Sequence, residues 1–280
     1  MALDQVDVDN QAGKEMSFLD HLEELRWHVI RALLVIVSIG TVFFIFHDWL
    51  FEHVIYGPTK PDFLSYKAFC WLSNQLGLGD AMCLVPPDFE SIAVGFAEPF
   101  ITSIKVSFIS GFIVAFPYVF WEAWRFIAPG LYPEERKATR GFVFISSVLF
   151  LMGVMFGYFV IAPFAVNFLG GYSIPGVENK PTLSSFITYM LMFTAPAGLI
   201  FELPLVVYFL SKIGLIYPET MRKYRRHSII GILLLSAIIT PPDVVTQFLI
   251  GIPLFVLYEF SILVSARVVK KAEKELAAEN

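Results

Sequence analysis

One carboxylate lies where a charge is expensive. Glu202 is flanked by apolar residues in the run APAGLIFELPL, and a carboxylate inside a membrane span costs several kcal/mol unless it is paired, hydrated or protonated. The position therefore indicates either proton handling within the membrane or a structural hydrogen bond to another helix. Lys105, which also falls within an apolar run, is a candidate charged partner.

A second group of polar residues follows one face of a helix. The segment SFLDHLEELRWH is amphipathic at helical spacing. Its polar face carries His21, Glu24, His28 and Arg31, and its apolar face carries Phe18, Leu22, Leu25 and Val29. The pattern is typical of a helix lying at a membrane interface with its polar face in the cytoplasm. It is also typical of a solvated charged face beside a membrane helix.

Enzyme chemistry is not indicated. The sequence contains no H-E-x-x-H, G-x-S-x-G, P-loop or C-x-x-C motif, so the usual residues for hydrolysis, phosphate binding and metal chemistry are missing. Ser236 and Ser261 have no nearby histidine that would activate them as nucleophiles. We therefore predict a protein that is not an enzyme and that uses no metal or cofactor.

The composition places these polar residues in a membrane. Hydrophobic residues make up 56% of the 280 residues, charged residues make up 16%, and the mean hydropathy is +0.67, against about 45–50% and about 25% in soluble domains. A membrane span needs about 20 mostly apolar residues, and long apolar runs favour helices over barrel strands. The predicted fold class is an all-α polytopic membrane protein, with six transmembrane helices near 29–50, 98–124, 139–166, 185–211, 227–240 and 244–265.

The basic residues are distributed very unevenly between the spans. Alternate connecting segments, both termini among them, carry sixteen of the lysines and arginines. The other segments carry three, which are Lys60, Lys67 and Lys180. The positive-inside rule therefore places both termini in the cytoplasm. The formal net charge is -5, and nucleic acid is not an expected partner.

The spans divide the chain into three parts. We predict a disordered cytoplasmic tail for residues 1–16, a six-helix transmembrane domain for residues 17–265 and a cytoplasmic tail for residues 266–280. The long external loop, residues 51–97, contains both cysteines, Cys70 and Cys83. They either form a disulfide, as an oxidising compartment would favour, or remain free thiols.

Prolines and one short helix shape the predicted helical wall. Prolines within spans kink or curve helices, which predicts a curved, concave wall; they are Pro117, Pro163, Pro196, Pro204 and Pro253. The apolar part of the fifth span is only ~21 Å long at 1.5 Å per residue, which predicts a locally thinned membrane. Asp243 lies in the short external loop that follows it.

Three motifs in this order resemble the TatC family, the multi-spanning receptor of the twin-arginine protein translocase. They are SFLDHLEELR (17–26), FIAPGLYPEE (126–135) and FELP (201–204), and the resemblance extends over about residues 16–265. It implies recognition of signal peptides with two consecutive arginines at the cytoplasmic face of the inner membrane. It also implies export of folded proteins driven by the proton-motive force, without ATP hydrolysis.

The resemblance also implies residues and partners. The two acidic residues that matter most for signal-peptide binding correspond to Glu24 and Glu135, with Arg26 and His21 beside the first of them. Glu202 corresponds to the polar membrane glutamate of the family. The implied partners are twin-arginine signal peptides of folded cargo, single-span TatA/TatB-type subunits, the lipid bilayer and further copies of the chain.

The sequence departs from the family pattern at two places. His28 stands where the first motif usually has a second arginine, and the first external loop is longer than expected and carries the two cysteines. The alternative function from another class is a proton-coupled small-solute transporter that uses Glu202. The absence of internal repeats argues against it, because many such transporters are built from them.

Overall fold

The computed structural model describes residues 18–77, 79–87, 90–127, 139–172, 174–176, 179–239 and 244–279. The regular secondary structure in these ranges is helical, and an isolated parallel bridge joins Ile92 to Thr182. This confirms the predicted all-α fold class. The predicted tail at residues 1–16 lies outside the described residues.

The α-helices of the described chain, in chain order, are α1 (Phe18–Ile45), α2 (His47–Leu50), α3 (Leu64–Gln75), α4 (Glu98–Ile127), α5 (Thr139–Phe156), α6 (Ala162–Gly171), α7 (Leu183–Phe201), α8 (Leu203–Lys212), α9 (Pro218–Lys223), α10 (Arg225–Ile239) and α11 (Val244–Glu279). Short π-helical turns occupy Phe51–Ile55 and Gly157–Ile161, and short 3₁₀ turns occupy Gly57–Thr59 and Gly79–Met82.

Five helical segments in the described part of the chain are long and apolar enough to cross a membrane. They are His21–Ile45, Glu98–Ile127, Gly141–Gly171, Leu183–Lys212 and Gln247–Lys274. The remaining predicted span corresponds to α10, which has 15 residues. At 1.5 Å per residue it is about 22 Å long, shorter than the ~30 Å hydrocarbon core. A sixth crossing therefore stays a prediction.

The amphipathic segment is not a separate interfacial helix. It forms the first turns of α1, which runs unbroken from Phe18 to Ile45. Helix α1 contains no proline, and its one glycine, Gly40, lies near its far end, so nothing in the sequence interrupts the helix. Of its polar face, His28 is buried against α4, whereas His21 and Arg31 are exposed, as expected for a solvated face beside a membrane helix.

Helices α1 and α4 pack antiparallel along their length. At one end Phe44 lies 6.0 Å from Phe100, ring centre to ring centre, and at the other end His28 contacts Glu122. Between them Gly111 meets Gly40 so closely that an added Cβ would lie 2.7 Å from a backbone nitrogen. The two glycines allow this approach, and the approach brings the polar ends of the two helices together.

Glycines also set the packing of α5 against α7. A Cβ added at Gly157 would lie 2.1 Å from the carbonyl oxygen of Phe193, and one at Gly153 would lie 2.6 Å from that of Ala197.

A π turn, Gly157–Ile161, directly precedes α6, whose second residue is Pro163. Proline has no N–H and its ring clashes with the carbonyl four residues earlier, so a widened turn accommodates it.

The predicted external loop packs on the ends of these helices. Tyr56 stacks on Phe186 of α7 at 5.5 Å, and Phe69 of α3 packs on Phe164 of α6 at 5.0 Å. Cys70 and Cys83, whose pairing the sequence leaves open, form a disulfide that ties α3 to the turn after it. Tyr66 is buried in this loop, and burial raises the pKa of its hydroxyl to about 12.

Candidate functional site

A buried polar cluster lies where the first turns of α1 meet the last turns of α4. The side chain of Glu122, on α4, is only 2% exposed. One of its carboxylate oxygens is hydrogen-bonded to the Nδ1 atom of His28. Tyr118, one turn earlier on α4, donates its hydroxyl to the other oxygen at 2.9 Å. The Glu122 carboxylate is thereby held by both helices.

The outer side of this cluster is half open. The Nε2 atom of His28 lies 4.0 Å from a carboxylate oxygen of Glu24, whose side chain is 37% exposed. The two residues are one helical turn apart on α1, so they share a face. Glu24 therefore stands at the rim of the cluster with a carboxylate that is accessible to a ligand.

Aromatic and basic side chains complete the rim. His21 stacks on Phe126 at 4.4 Å between ring centres. Arg125 lies over the ring of Trp121 at 4.9 Å, and its Nη1 atom is 3.8 Å from Glu122. Arg26 is exposed. It lies two residues after Glu24 and therefore on a different side of α1, because successive residues of a helix are about 100° apart. The structure therefore groups His21 with Glu24 and leaves Arg26 apart.

Two predicted residues lie outside the described residues. These are Glu135, in the segment that follows the last residue of α4, and Asp243, in the connection between α10 and α11. Glu135 is eight residues beyond Ile127, where α4 ends beside the cluster. Its role as the second acidic residue stays a prediction.

Glu122 and Tyr118 are functional candidates that the sequence interpretation missed. The signal was present, because Glu122 lies in the apolar run FPYVFWEAWRF just as Glu202 lies in its own. A charge in such a run is costly wherever it occurs, so the same criterion would have selected both. What sequence alone did not give was the register that puts Glu122 opposite His28.

Glu202 forms a second, separate polar position. It lies between α7 and α8 and is 8% exposed, and one oxygen accepts a hydrogen bond from Ser146 of α5 at 2.9 Å. The other oxygen has no hydrogen-bond partner among the residues that the structure describes. Lys105 is exposed on α4. The suggested Lys105 pairing is therefore wrong, and the structural partner of Glu202 is a serine.

The break between the two helices follows from the sequence FELP. Pro204 has no N–H to donate to the carbonyl four residues earlier, so it occupies the first turn of α8. The carbonyl of Glu202 accepts instead from the backbone nitrogens of Leu205 and Val206, at 2.9 and 3.0 Å. This interruption turns the glutamate side chain toward α5.

The fold and these positions define an α-helical multi-pass membrane protein with polar groups inside its helical wall. The family model for "Sec-independent protein translocase protein (TatC)" matches residues 20–253. A TatC protein from Blattabacterium sp. subsp. Periplaneta americana is 35% identical over 259 residues, which are 92% of this chain and 97% of the relative. TatCy of Bacillus subtilis is 30% identical over 266 residues, 95% of this chain and 94% of the relative.

Solved structures show the same similarity. A crystal structure of the twin-arginine translocase receptor TatC has a TM-score of 0.66 at 33% identity, covering 88% of this chain and 97% of that one. A second, in the detergent DDM, has a TM-score of 0.70 at 32% identity, covering 88% and 99%. The chain belongs to the TatC family. Family membership makes it a component of a Sec-independent protein translocase, a protein-transport membrane protein and not an enzyme, in place of the small-solute transporter alternative.

Proposed function

We propose that this chain is the receptor of a twin-arginine translocase and binds the arginine pair of signal peptides through Glu24 and Glu135. The observation that carries the proposal is the half-exposed Glu24 carboxylate at the junction of α1 and α4. The segment with Glu135 begins where α4 ends. The two carboxylates would then bind the two arginines of one peptide from different directions.

The chemistry of arginine suits such a pair of acceptors. A guanidinium is always charged and gives a carboxylate two parallel hydrogen bonds, which the ammonium of lysine does not. Neighbouring side chains of an extended peptide point to opposite sides. Two consecutive arginines therefore need acceptors at separated places, as a helix and a following segment provide.

The wider function follows from the family and from the charge bias. We place the chain in the cytoplasmic membrane as a six-span protein with both termini in the cytoplasm, where positive-inside orientation puts the Glu24 junction. With single-span partner subunits it takes part in export of folded proteins driven by the proton-motive force. Several copies assemble in each complex.

Affinity for four related peptides tests the receptor function. In membrane vesicles that contain the chain and its partner subunits, a signal peptide with Arg-Arg is expected to bind about tenfold more tightly than its Arg-Lys or Lys-Arg forms. The Lys-Lys form is expected to bind more weakly still, since a charged hydrogen bond is worth about 1.5–3 kcal/mol and 1.4 kcal/mol is about tenfold. Equal affinity for all four peptides would exclude twin-arginine recognition.

Replacement of Glu202 is expected to affect a later step. Glu202→Ala should leave Arg-Arg peptide affinity within about threefold and lower export of a folded reporter about tenfold, because an intramembrane carboxylate affects water and lipid rather than the peptide junction. Ser146→Ala removes its hydrogen-bond donor and should give a weaker version of the same defect. The control is Ser147→Ala, because the Ser147 hydroxyl donates to the carbonyl of Val143 in its own helix. Loss of peptide binding in Glu202→Ala would contradict this assignment.

A further inference from the structure

The buried carboxylate of Glu122 is the polar group at the junction that the proposed function leaves unused. It is enclosed by three side chains: His28 on α1, Tyr118 one turn earlier on α4, and Arg125 one turn later. A carboxylate at such a depth is costly, and apolar residues of similar volume often replace buried ionic groups without loss of stability. Helix packing alone does not explain its presence.

The contacts of His28 connect Glu122 to the exposed carboxylate. An imidazole has two distinct nitrogens, and the bond made by one fixes the orientation of the other. Here Nδ1 faces Glu122 and Nε2 faces Glu24, 4.0 Å away. The His28 side chain is 8% exposed, so the ring has little freedom to turn. Glu122 therefore determines which nitrogen of the His28 ring faces Glu24 and in which orientation.

A guanidinium fork needs a carboxylate in a defined orientation, because two hydrogen bonds must form in parallel. A free glutamate side chain would lose rotamer entropy when the arginine binds. The geometry points to Glu122 as a positioning residue that, through His28, orients the Glu24 carboxylate toward an arginine of the signal peptide. This inference rests on the proposed receptor function.

Binding of an Arg-Arg signal peptide to variants in vesicles with the partner subunits tests the inference. Glu122→Met, apolar and similar in volume, is expected to weaken binding about tenfold. Glu122→Gln keeps an acceptor for His28 and should stay within about threefold of the unaltered chain. In a Glu24→Gln background, Glu122→Met should cause no further loss, because residues that act through one another are not additive. Independent, additive losses would overturn the inference.

Exchanging the histidine and the glutamate distinguishes orientation of Glu24 from simple stabilisation of the contact between α1 and α4. The double variant His28→Glu with Glu122→His keeps a histidine–carboxylate pair between α1 and α4, but it puts a carboxylate beside Glu24. Its melting temperature in detergent should be close to that of the unaltered protein, while its affinity for the Arg-Arg peptide should be about tenfold weaker. An unaltered melting temperature together with unaltered affinity would show that the pair only holds the two helices together.

The Lys-Lys peptide and one distant histidine complete the design. His47→Gln alters a histidine of α2, just beyond the far end of α1, where it pairs with Asp48, and should leave binding unchanged. If the unaltered chain binds Arg-Arg and Lys-Lys peptides alike, the receptor function fails and the inference fails with it. If it prefers Arg-Arg but tolerates Glu122→Met without loss, only the inference is overturned.

Discussion

Export of a folded reporter with a twin-arginine signal peptide is expected to fall below ~1% of the normal level when Glu24 is replaced by alanine, and likewise for Glu135. Each substitution removes the acceptor of a two-bond arginine contact, at about 1.5–3 kcal/mol per charged hydrogen bond, and the remaining carboxylate holds only one of the two arginines. The measurement is reporter transport in cells that lack the native protein. Membrane insertion should be unchanged, since Glu24 lies at the end of its span.

Neighbouring carboxylates supply matched controls for these substitutions. Glu23 is exposed and directly precedes Glu24, and Glu134 directly precedes Glu135. Glu23→Ala and Glu134→Ala change the local charge equally and are expected to retain most of the export. Normal export in both Glu24→Ala and Glu135→Ala would remove these residues from the binding site.

Addition of one methyl group at Gly157 should be among the most destabilising changes in the protein. The new Cβ would lie 2.1 Å from the backbone oxygen of Phe193, and backbone cannot move aside as a flexible side chain can. Overpacking of this kind costs about 3 kcal/mol or more, which for a chain of this size lowers the melting temperature by about 10 °C. Thermal unfolding of purified Gly157→Ala in detergent measures the effect.

The control is another glycine-to-alanine change, which is expected to raise the melting temperature instead of lowering it. Gly141 lies in the same transmembrane segment, in α5, with nothing within 4 Å of an added Cβ. Gly141→Ala should therefore stabilise the protein by about 0.5–1 kcal/mol, because alanine favours a helix over glycine. Equal melting temperatures for the two alanine variants would show that the contact between α5 and α7 is looser than the structure gives.

The sequence predicted the parts of the fold that depend on composition. Long apolar runs specified the helix class and five of the spans, since length and hydropathy determine which helices cross a membrane. The π turn before Pro163 and the break at Glu202 were not placed in detail, because proline indicates a disruption without specifying its form. The sequence also left the state of Cys70 and Cys83 open, and the fold brings them together.

The candidate site was predicted only in part. Glu24 and His21 share the junction as the helical spacing of the amphipathic segment suggested, but their neighbours come from α4, almost a hundred residues away. The register between α1 and α4 depends on the close approach of Gly40 and Gly111, which no periodicity reveals. For this reason Glu122 and the burial of His28 emerged from the structure alone, and the proposed Lys105 partner of Glu202 was wrong.

The most direct test of the receptor function is site-specific photo-crosslinking in native membranes. A photoreactive residue at position 23 or 134 leaves Glu24 and Glu135 intact, and one at the exposed Lys67, in the predicted external loop, serves as the control. Crosslinks from positions 23 and 134 to an Arg-Arg signal peptide, absent for its Lys-Lys form and absent from position 67, are the predicted result. Equal crosslinking of both peptides, or none from either position, would contradict recognition of the arginine pair at this junction.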